Sequence, residues 1–63
     1  MSLTLKQARL LKEKTQEYMA EKLNIHVQTY RKLEENPEEV TIRQAKIICA
    51  ELGQSYDTIF FTL

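Results

Sequence analysis

The chain has 63 residues, 43% of them apolar and 29% charged, and its net charge is zero, a composition that allows one small globular domain. One cysteine and one histidine exclude an internal disulfide and a zinc site of the usual composition. No apolar run approaches the ~18 residues of a membrane span, so we expect a cytoplasmic protein without membrane contact. One glycine and one proline favour short helices over a many-turned β fold.

Two N-terminal helices are predicted from their capping residues. Thr4, with Gln7 three residues later, forms a capping box that begins helix 1. Thr15 is the next N-cap, and helix 2 ends near Leu23, before an asparagine (Asn24) that tolerates the left-handed conformation. The residues expected to face inward are Leu5, Ala8 and either Leu11 or Lys12 in helix 1, with Leu10 beside them, and Met19, Ala20 and Leu23 in helix 2.

Helix 3 is predicted over Val27–Glu34, after His26 as a modest cap. Tyr30 and Leu33 are expected to face inward with Ile25, and the hydroxyl of Tyr30 is expected to reach water. Residues 35–40 are the longest polar interruption in the chain and contain its only proline, so they predict a loop.

Helix 4 is predicted to begin at a second capping box, formed by Thr41 and Gln44, and to end at Gly53. Ser55 caps a short final helix. Because Cys49 lies on the apolar stripe of helix 4, core packing is favoured over redox or metal chemistry. The stripe consists of Ile42, Ala45, Ile48, Cys49 and Leu52, and the final helix carries Tyr56, Ile59 and Phe60. The predicted fold is all-α, a compact bundle of five short helices in one domain over residues 1–63.

Residues 16–33 have the pattern of two helices that cross through a short turn. Such a crossing needs a small residue at the closest approach, which Ala20 supplies, and a turn residue able to take positive φ, which Asn24 supplies. Apolar residues flank both points and leave the outward side of the second helix polar. We therefore interpret residues 16–33 as a helix-turn-helix.

Several motifs along nearly the whole chain fall in register with a known family. They are Arg9, Thr15-Gln16-Glu17, Met19-Ala20, Leu23-Asn24-Ile25, Leu33-Glu34, and Leu52-Gly53 before Tyr56–Phe60. In this combination, the chain resembles the Cro/C1 repressor-type (Xre-like) helix-turn-helix family over roughly residues 5–60. The resemblance implies a lambda-repressor-like DNA-binding domain.

The resemblance also implies roles for individual residues. Arg9 and Glu34 match an internal ion pair, and Gln16 matches a residue that meets a DNA phosphate. Base-reading positions match Val27, Gln28 and Lys32, with Thr29 and Arg31 adjacent. The chemistry agrees, because Gln pairs with adenine, Lys or Arg with guanine, and Val packs on a thymine methyl. Further phosphate contacts are predicted at His26, Asn36 and Arg43, although a capping role for His26 is the stronger expectation.

Charge is unevenly distributed although its total is zero. Residues 1–33 contain seven basic and three acidic residues, a charge of +4, whereas residues 34–63 contain two basic and six acidic residues, a charge of −4. A polyanion would be attracted to the first half. The alternative is that these charges are solvated helix faces with i,i+4 pairs.

The chain departs from the family at two places. Glu13 and Lys14 stand where the family commonly has glycine and an apolar residue, and we expect this change only to reshape a surface turn. The second departure is the loop after helix 3, where carboxylates facing phosphate would oppose DNA binding. Either that loop turns away from DNA or the affinity is modest. The acidic residues there are Glu34, Glu35, Glu38 and Glu39.

The leading hypothesis is a sequence-specific regulator of transcription, a repressor that inserts helix 3 into the major groove of double-stranded DNA. Ile47, Phe61 and Leu63 fall off the core stripes and predict an apolar homodimer interface, with recognition helices about 34 Å apart. The alternative is a monomer with Phe61 in its core. No catalytic set is visible, so we predict no enzyme, cofactor, metal or small-molecule ligand. The rival function is a protein-interaction module or antitoxin-like protein that uses the acidic half.

Overall fold

A computed structural model describes residues 3–60, which form five α-helices and one 3-10 turn. The helices are α1 (Leu5–Leu11), α2 (Gln16–Leu23), α3 (Val27–Glu35), α4 (Ile42–Leu52) and α5 (Tyr56–Phe60), and the 3-10 turn spans Pro37–Glu39. No strand occurs in this part of the chain, and the all-α prediction is confirmed. Because α2 packs against α3 and α4, and α5 packs against α1 and α4, all five helices share one core.

Both predicted capping boxes are present. The Thr4 hydroxyl accepts from the Gln7 N–H at 3.0 Å, and the Gln7 side chain accepts from the Thr4 N–H at 2.9 Å. The corresponding distances between Thr41 and Gln44 are 3.1 and 2.9 Å. Each box satisfies two backbone donors that a helix start otherwise leaves free, so local sequence alone determines where α1 and α4 begin.

The remaining helix ends also follow the sequence. Thr15 caps α2 by accepting from a backbone N–H at 2.9 Å, and His26 caps α3 through Nδ1, which accepts from the Gln28 N–H at 3.1 Å. Asn24 ends α2 in the left-handed conformation at φ 57°, and Gly53 ends α4 at φ 63°. The short turn between α2 and α3 therefore has the backbone geometry that a helix-turn-helix needs.

Apolar side chains from every α-helix meet in one core. Tyr30 and Ile48 lie at its centre and are wholly buried. Cys49 is half-buried, and burial raises the pKa of its thiol. The buried apolar residues are Leu5, Ala8, Met19, Ala20, Leu23, Tyr30, Leu33, Ala45, Ile48, Leu52 and Ile59.

Two predictions about inward faces were wrong. In α1, Leu10 and Leu11 are 54% and 64% exposed, Lys12 is exposed as well, and Arg9 occupies the buried position instead. The guanidinium can lie inside because it has an internal carboxylate partner. In α4, Ile42 is 72% exposed, because the first residue of the helix lies about 90° around the axis from the buried stripe.

The hydroxyl of Tyr30 is buried, so the prediction that it reaches water was also wrong. The side chain is 0% exposed, and its oxygen has no hydrogen-bond partner within residues 3–60. Burial raises the pKa of Tyr30, and the neighbouring Glu34 carboxylate acts in the same direction. The phenol therefore stays neutral.

The turn before α2 holds a residue under backbone strain. Glu13 has φ 55°, and Asn24 is the other residue besides glycine with positive φ in the described range. A residue with a Cβ pays about 1–2 kcal/mol for this conformation, which Asn tolerates better than Glu. Glu13 thus adds backbone strain to the turn, whereas the sequence predicted only a change in the shape of a surface turn.

Candidate nucleic-acid interface

The outward face of α3 carries Gln28 and Lys32, two exposed polar side chains one helical turn apart, and the exposed Glu35 lies beyond them on the same side. On the opposite side of the helix, Tyr30 and Leu33 are 0% and 5% exposed and anchor it to the core. An α-helix with its side chains is about 10–12 Å across, and a major groove about 12 Å wide admits a single helix. The geometry therefore presents a rigid polar helix face of the size that a major groove accepts.

The other three predicted base contacts are placed differently from this pair. Val27 is half-buried and packs against the core, so only part of its side chain faces outward. Thr29 is exposed on one flank of α3, and Arg31 is half-buried on the other flank, towards α2. The five residues thus form a central pair with three residues around it.

Arg9 and Glu34 form an internal ion pair between α1 and α3. Arg9 Nε donates to Glu34 Oε2 at 2.6 Å and Nη2 donates to Oε1 at 3.3 Å, with side chains 8% and 5% exposed. The hydrogen bond to Glu34 raises the pKa of Arg9, although burial opposes it. Burial alone would raise the pKa of Glu34, but hydrogen bonds from Arg9 and Gln16 lower it. Both groups are therefore charged at neutral pH.

Gln16, the first residue of α2, links this ion pair to α3. Its Nε2 donates to Glu34 Oε1 at 3.1 Å, and its Oε1 accepts from Arg31 Nε at 3.1 Å. Arg9 also donates from Nη1 to the carbonyl of Lys14 at 2.9 Å, which fixes the turn before α2. The side chain of Gln16, predicted to meet a phosphate, is thus half-buried and turned towards the protein.

The other three predicted phosphate contacts lie at separate places on the protein and do not form one cluster. His26 is exposed and uses Nδ1 as the cap of α3. Asn36 is half-buried at the end of α3, where its Nδ2 donates to the Lys32 carbonyl at 3.5 Å. Arg43 is exposed on the first turn of α4 and lines a cleft of about 320 Å³ with Lys22 at the end of α2.

The predicted acidic loop is partly helical, because Glu34 and Glu35 are the last two residues of α3 and Pro37–Glu39 form a 3-10 turn. This acidic segment contributes less outward charge than the sequence indicates. Glu34 points inward to Arg9, which leaves Glu35, Glu38 and Glu39 exposed. Glu35 and Glu38 line a groove of about 710 Å³ together with the N-terminal residues of α1 and with α5. The turn after α3 therefore lies near α1 and α5, whereas Glu35 stays on the same side of α3 as Gln28.

One polar contact between α2 and α4 was missed by the sequence reasoning. The Tyr18 hydroxyl donates to Glu51 Oε1 at 2.8 Å, and this hydrogen bond raises the pKa of Tyr18. The ammonium groups of Lys14 and Lys22 lie 4.5 and 5.3 Å from the centre of the Tyr18 ring. Nothing local in the sequence indicates this contact, because its partners are 33 residues apart.

The predicted dimer residues lie partly outside the structure. Ile47 is half-buried and packs against the core, so it does not fall fully off the apolar stripe of α4. Phe61 and Leu63 lie outside the described residues. Within residues 3–60, no group of His, Cys, Asp or Glu is arranged to hold a metal ion. No helix in that range combines the length and apolar character needed to cross a membrane.

Comparison with known proteins gives one match. The model of a protein family described as "Helix-turn-helix" matches residues 5–59, a range that runs from the start of α1 into α5. Searches of curated proteins and of solved structures find no match. The match includes the Arg9–Glu34 pair, the Asn24 turn and the outward face of α3 in a single unit.

Proposed function

The chain belongs to the Cro/C1-type (Xre-like) family of DNA-binding helix-turn-helix regulators, and we propose that it represses transcription by occupying a specific operator. The observation that carries this proposal is the outward face of α3, where Gln28 and Lys32 are exposed while Tyr30 and Leu33 hold the helix on the core. A rigid helix loses little conformational freedom when it enters the major groove.

Base recognition is assigned first to Gln28 and Lys32. A Gln side chain can donate to adenine N7 and accept from its N6, and a Lys can donate to guanine O6 and N7. Each good bidentate contact contributes about 1–3 kcal/mol of discrimination against the wrong base. Thr29 adds a hydroxyl on one flank, and the exposed part of Val27 can meet a thymine methyl.

Contacts with the DNA phosphate backbone are assigned to polar residues outside the outward face of α3. Because His26 Nδ1 accepts a hydrogen bond from the protein, a neutral imidazole there carries its proton on Nε2, which is free to donate to a phosphate. Arg43 offers an exposed guanidinium on α4, and Asn36 offers the amide at the end of α3. The N–H groups at the start of α2, beside Gln16, favour an anion as well.

We also propose that the protein binds its operator as a homodimer. Two-fold pairing would place two recognition helices one DNA turn, about 34 Å, apart on a palindromic site. Sedimentation at micromolar concentration tests the assembly. The proposal expects a species of twice the chain mass, and a single 7.4 kDa species contradicts it.

Salt dependence of binding to random duplex DNA tests the function. A DNA binder that contacts several phosphates loses affinity steeply between about 50 and 200 mM salt, since counterions are released on binding. Lys32→Ala should weaken binding, whereas Lys46→Ala, the same change on an exposed residue of α4, serves as the matched control. Absence of duplex binding at low salt would contradict the proposal.

A second candidate is a protein-interaction module or antitoxin-like protein with weak DNA affinity. The exposed carboxylates of Glu35, Glu38 and Glu39 favour it, because they repel phosphate and suit a basic protein surface. The salt titration separates the two functions. Only the DNA regulator shows duplex binding that is strong at low salt and lost at high salt.

A further inference from the structure

The carboxamide of Gln16 is engaged on both sides within the protein. Nε2 donates to Glu34 and Oε1 accepts from Arg31 Nε, each at 3.1 Å. Glu34 is itself fixed by the buried guanidinium of Arg9. A continuous chain of hydrogen bonds therefore runs from the interior of the protein, through Gln16, to the flank of the recognition helix.

This chain leaves one edge of the Arg31 guanidinium free. Nε is held by Gln16, and no hydrogen bond or ion pair within residues 3–60 engages the two Nη groups. These two groups form a planar fork that suits two oxygens of one phosphate, or the O6 and N7 acceptors of a guanine. Arg31 is thus oriented in advance for a bidentate anion or base contact.

The position of Arg31 on α3 decides between those ligands. Gln28 and Lys32 point outward along the centre of the exposed face, where base edges lie when a helix enters the major groove. Arg31 lies on the flank beside the first residue of α2, half-buried and tied to it. The flanks of a helix in the major groove meet the phosphate backbone that forms the groove walls.

We propose that Arg31 contacts a DNA phosphate, and that Gln16 is a positioning residue that orients Arg31 and makes no DNA contact through its own side chain. The assignment rests on the proposed function. It transfers the phosphate contact from Gln16 to Arg31 and leaves base discrimination to Gln28 and Lys32. Gln16 holds the guanidinium in place before DNA arrives, which reduces the entropy lost on binding.

A double-mutant cycle on DNA binding tests the assignment, with the folded fraction of each variant checked by circular dichroism. Arg31→Ala should weaken binding about 10-fold, since a charge-assisted hydrogen bond is lost. It should lower the slope of log affinity against log salt by about 1. Gln16→Met should weaken binding about 3-fold, as expected for losing the orientation of one side chain. In the Arg31→Ala background, Gln16→Met should have no further effect.

Two controls keep the outcome specific. Gln54→Met makes the same change in the turn between α4 and α5 and should leave DNA binding unchanged. Arg31→Lys keeps the positive charge but has no Nε–H that Gln16 could accept. It should therefore retain the slope of log affinity against log salt, and Gln16→Met should not change the affinity of this variant. Base preferences selected from random DNA should be unchanged by Arg31→Ala, because a phosphate contact carries no direct sequence information.

Each contrary result has a distinct meaning. If Gln16→Met lowers the affinity for DNA by the same factor with and without Arg31, the Gln16 side chain contacts DNA itself and the assignment is overturned. If Arg31→Ala changes the preferred base at one position, Arg31 reads a base and the assignment is overturned as well. If the wild-type protein binds no duplex at low salt, the proposed function itself fails, which is distinguishable from both results.

Discussion

The turn before α2 and the acidic segment at the end of α3 and in the 3-10 turn after it both contain glutamates, and these glutamates affect different properties of the protein. In the turn, Glu13 has φ 55°, so its cost lies in backbone conformation. In the acidic segment, Glu34 near the end of α3 is buried against Arg9, whereas Glu35 and Glu38 remain exposed. A glutamate therefore affects stability or DNA affinity according to where its carboxylate lies, and net charge alone describes neither effect.

The largest expected effect comes from Glu34, the buried carboxylate near the end of α3. Glu34→Gln leaves the Arg9 guanidinium buried without its counter-charge, which should cost about 3 kcal/mol of unfolding free energy. The total free energy of unfolding of a domain of this size is only a few kcal/mol, so the variant should be largely unfolded at 37 °C. Urea denaturation followed by circular dichroism measures the change.

Glu38→Gln is the matched control for that variant, since it makes the same substitution on an exposed carboxylate of the loop. Glu38→Gln should change the free energy of unfolding by less than about 0.5 kcal/mol. Equal losses for Glu34→Gln and Glu38→Gln would remove the distinction between the inward and outward carboxylates.

Acid should weaken the fold through the same inward carboxylate. The folded protein lowers the pKa of Glu34 below its ordinary value of 4.5. A lowered carboxyl pKa contributes stability that is complete above the unfolded pKa and is lost as pH falls through the folded one. We therefore expect the melting temperature to fall below about pH 4.5.

The double variant Arg9→Met, Glu34→Leu lacks the ion pair and has no isolated buried charge, so its melting temperature should fall less steeply in acid. Thermal melts at pH 3 to 7 make the comparison. Identical acid profiles for the double variant and the wild type would exclude Glu34 as a major contributor.

Most helix ends could be predicted from the sequence, whereas some of the buried faces of the helices could not. Capping residues such as Thr4, Thr41 and Gly53 act on their own neighbours, so sequence reasoning placed the starts of all five helices and the ends of α2, α3 and α4 to within a residue. The exposure of Leu10 and the buried hydroxyl of Tyr30 depend on how helices pack, which local periodicity does not specify.

In the candidate site, too, features set by neighbouring residues could be predicted from the sequence, and features set by packing could not. The outward face of α3 could be predicted, because Gln28 and Lys32 occupy one side of a helix whose other side is apolar. The link from Gln16 to Arg31 joins residues 15 positions apart through side-chain rotamers, and no spacing rule indicates it. The strain at Glu13 was underestimated because φ is a property of the folded turn.

A smaller effect, of opposite sign, is expected in the turn before α2. Glu13→Gly removes the Cβ that disfavours φ 55° and should stabilise the fold by up to about 1 kcal/mol, since the greater freedom of glycine when unfolded offsets part of the gain. The midpoint of urea denaturation should rise. Glu17→Gly, within α2, is the opposite control and should lower the free energy of unfolding by up to about 1 kcal/mol, and the midpoint with it. A lower midpoint for Glu13→Gly would show that the turn is not strained.

The smallest effect is expected from Glu35, the exposed carboxylate at the end of α3. Glu35 lies two turns after Gln28 on the same side of α3, so Glu35→Gln should strengthen DNA binding about 2-fold at low salt and less at high salt. Asp57→Asn makes the same charge change on α5, which packs against α1 and α4, and should leave affinity unchanged. Equal gains for both variants would indicate a general effect of net charge.

Selection of bound sequences from a random pool of duplex DNA tests the central claim most directly. We expect the wild-type protein to enrich one defined motif, and Gln28→Ala to lose the preference at one base position while it retains the others. The loss should correspond to about 1–3 kcal/mol of discrimination at that position. A pool that stays random, or a motif that Gln28→Ala and Lys32→Ala leave unchanged, would contradict the account of α3 as the element that reads DNA.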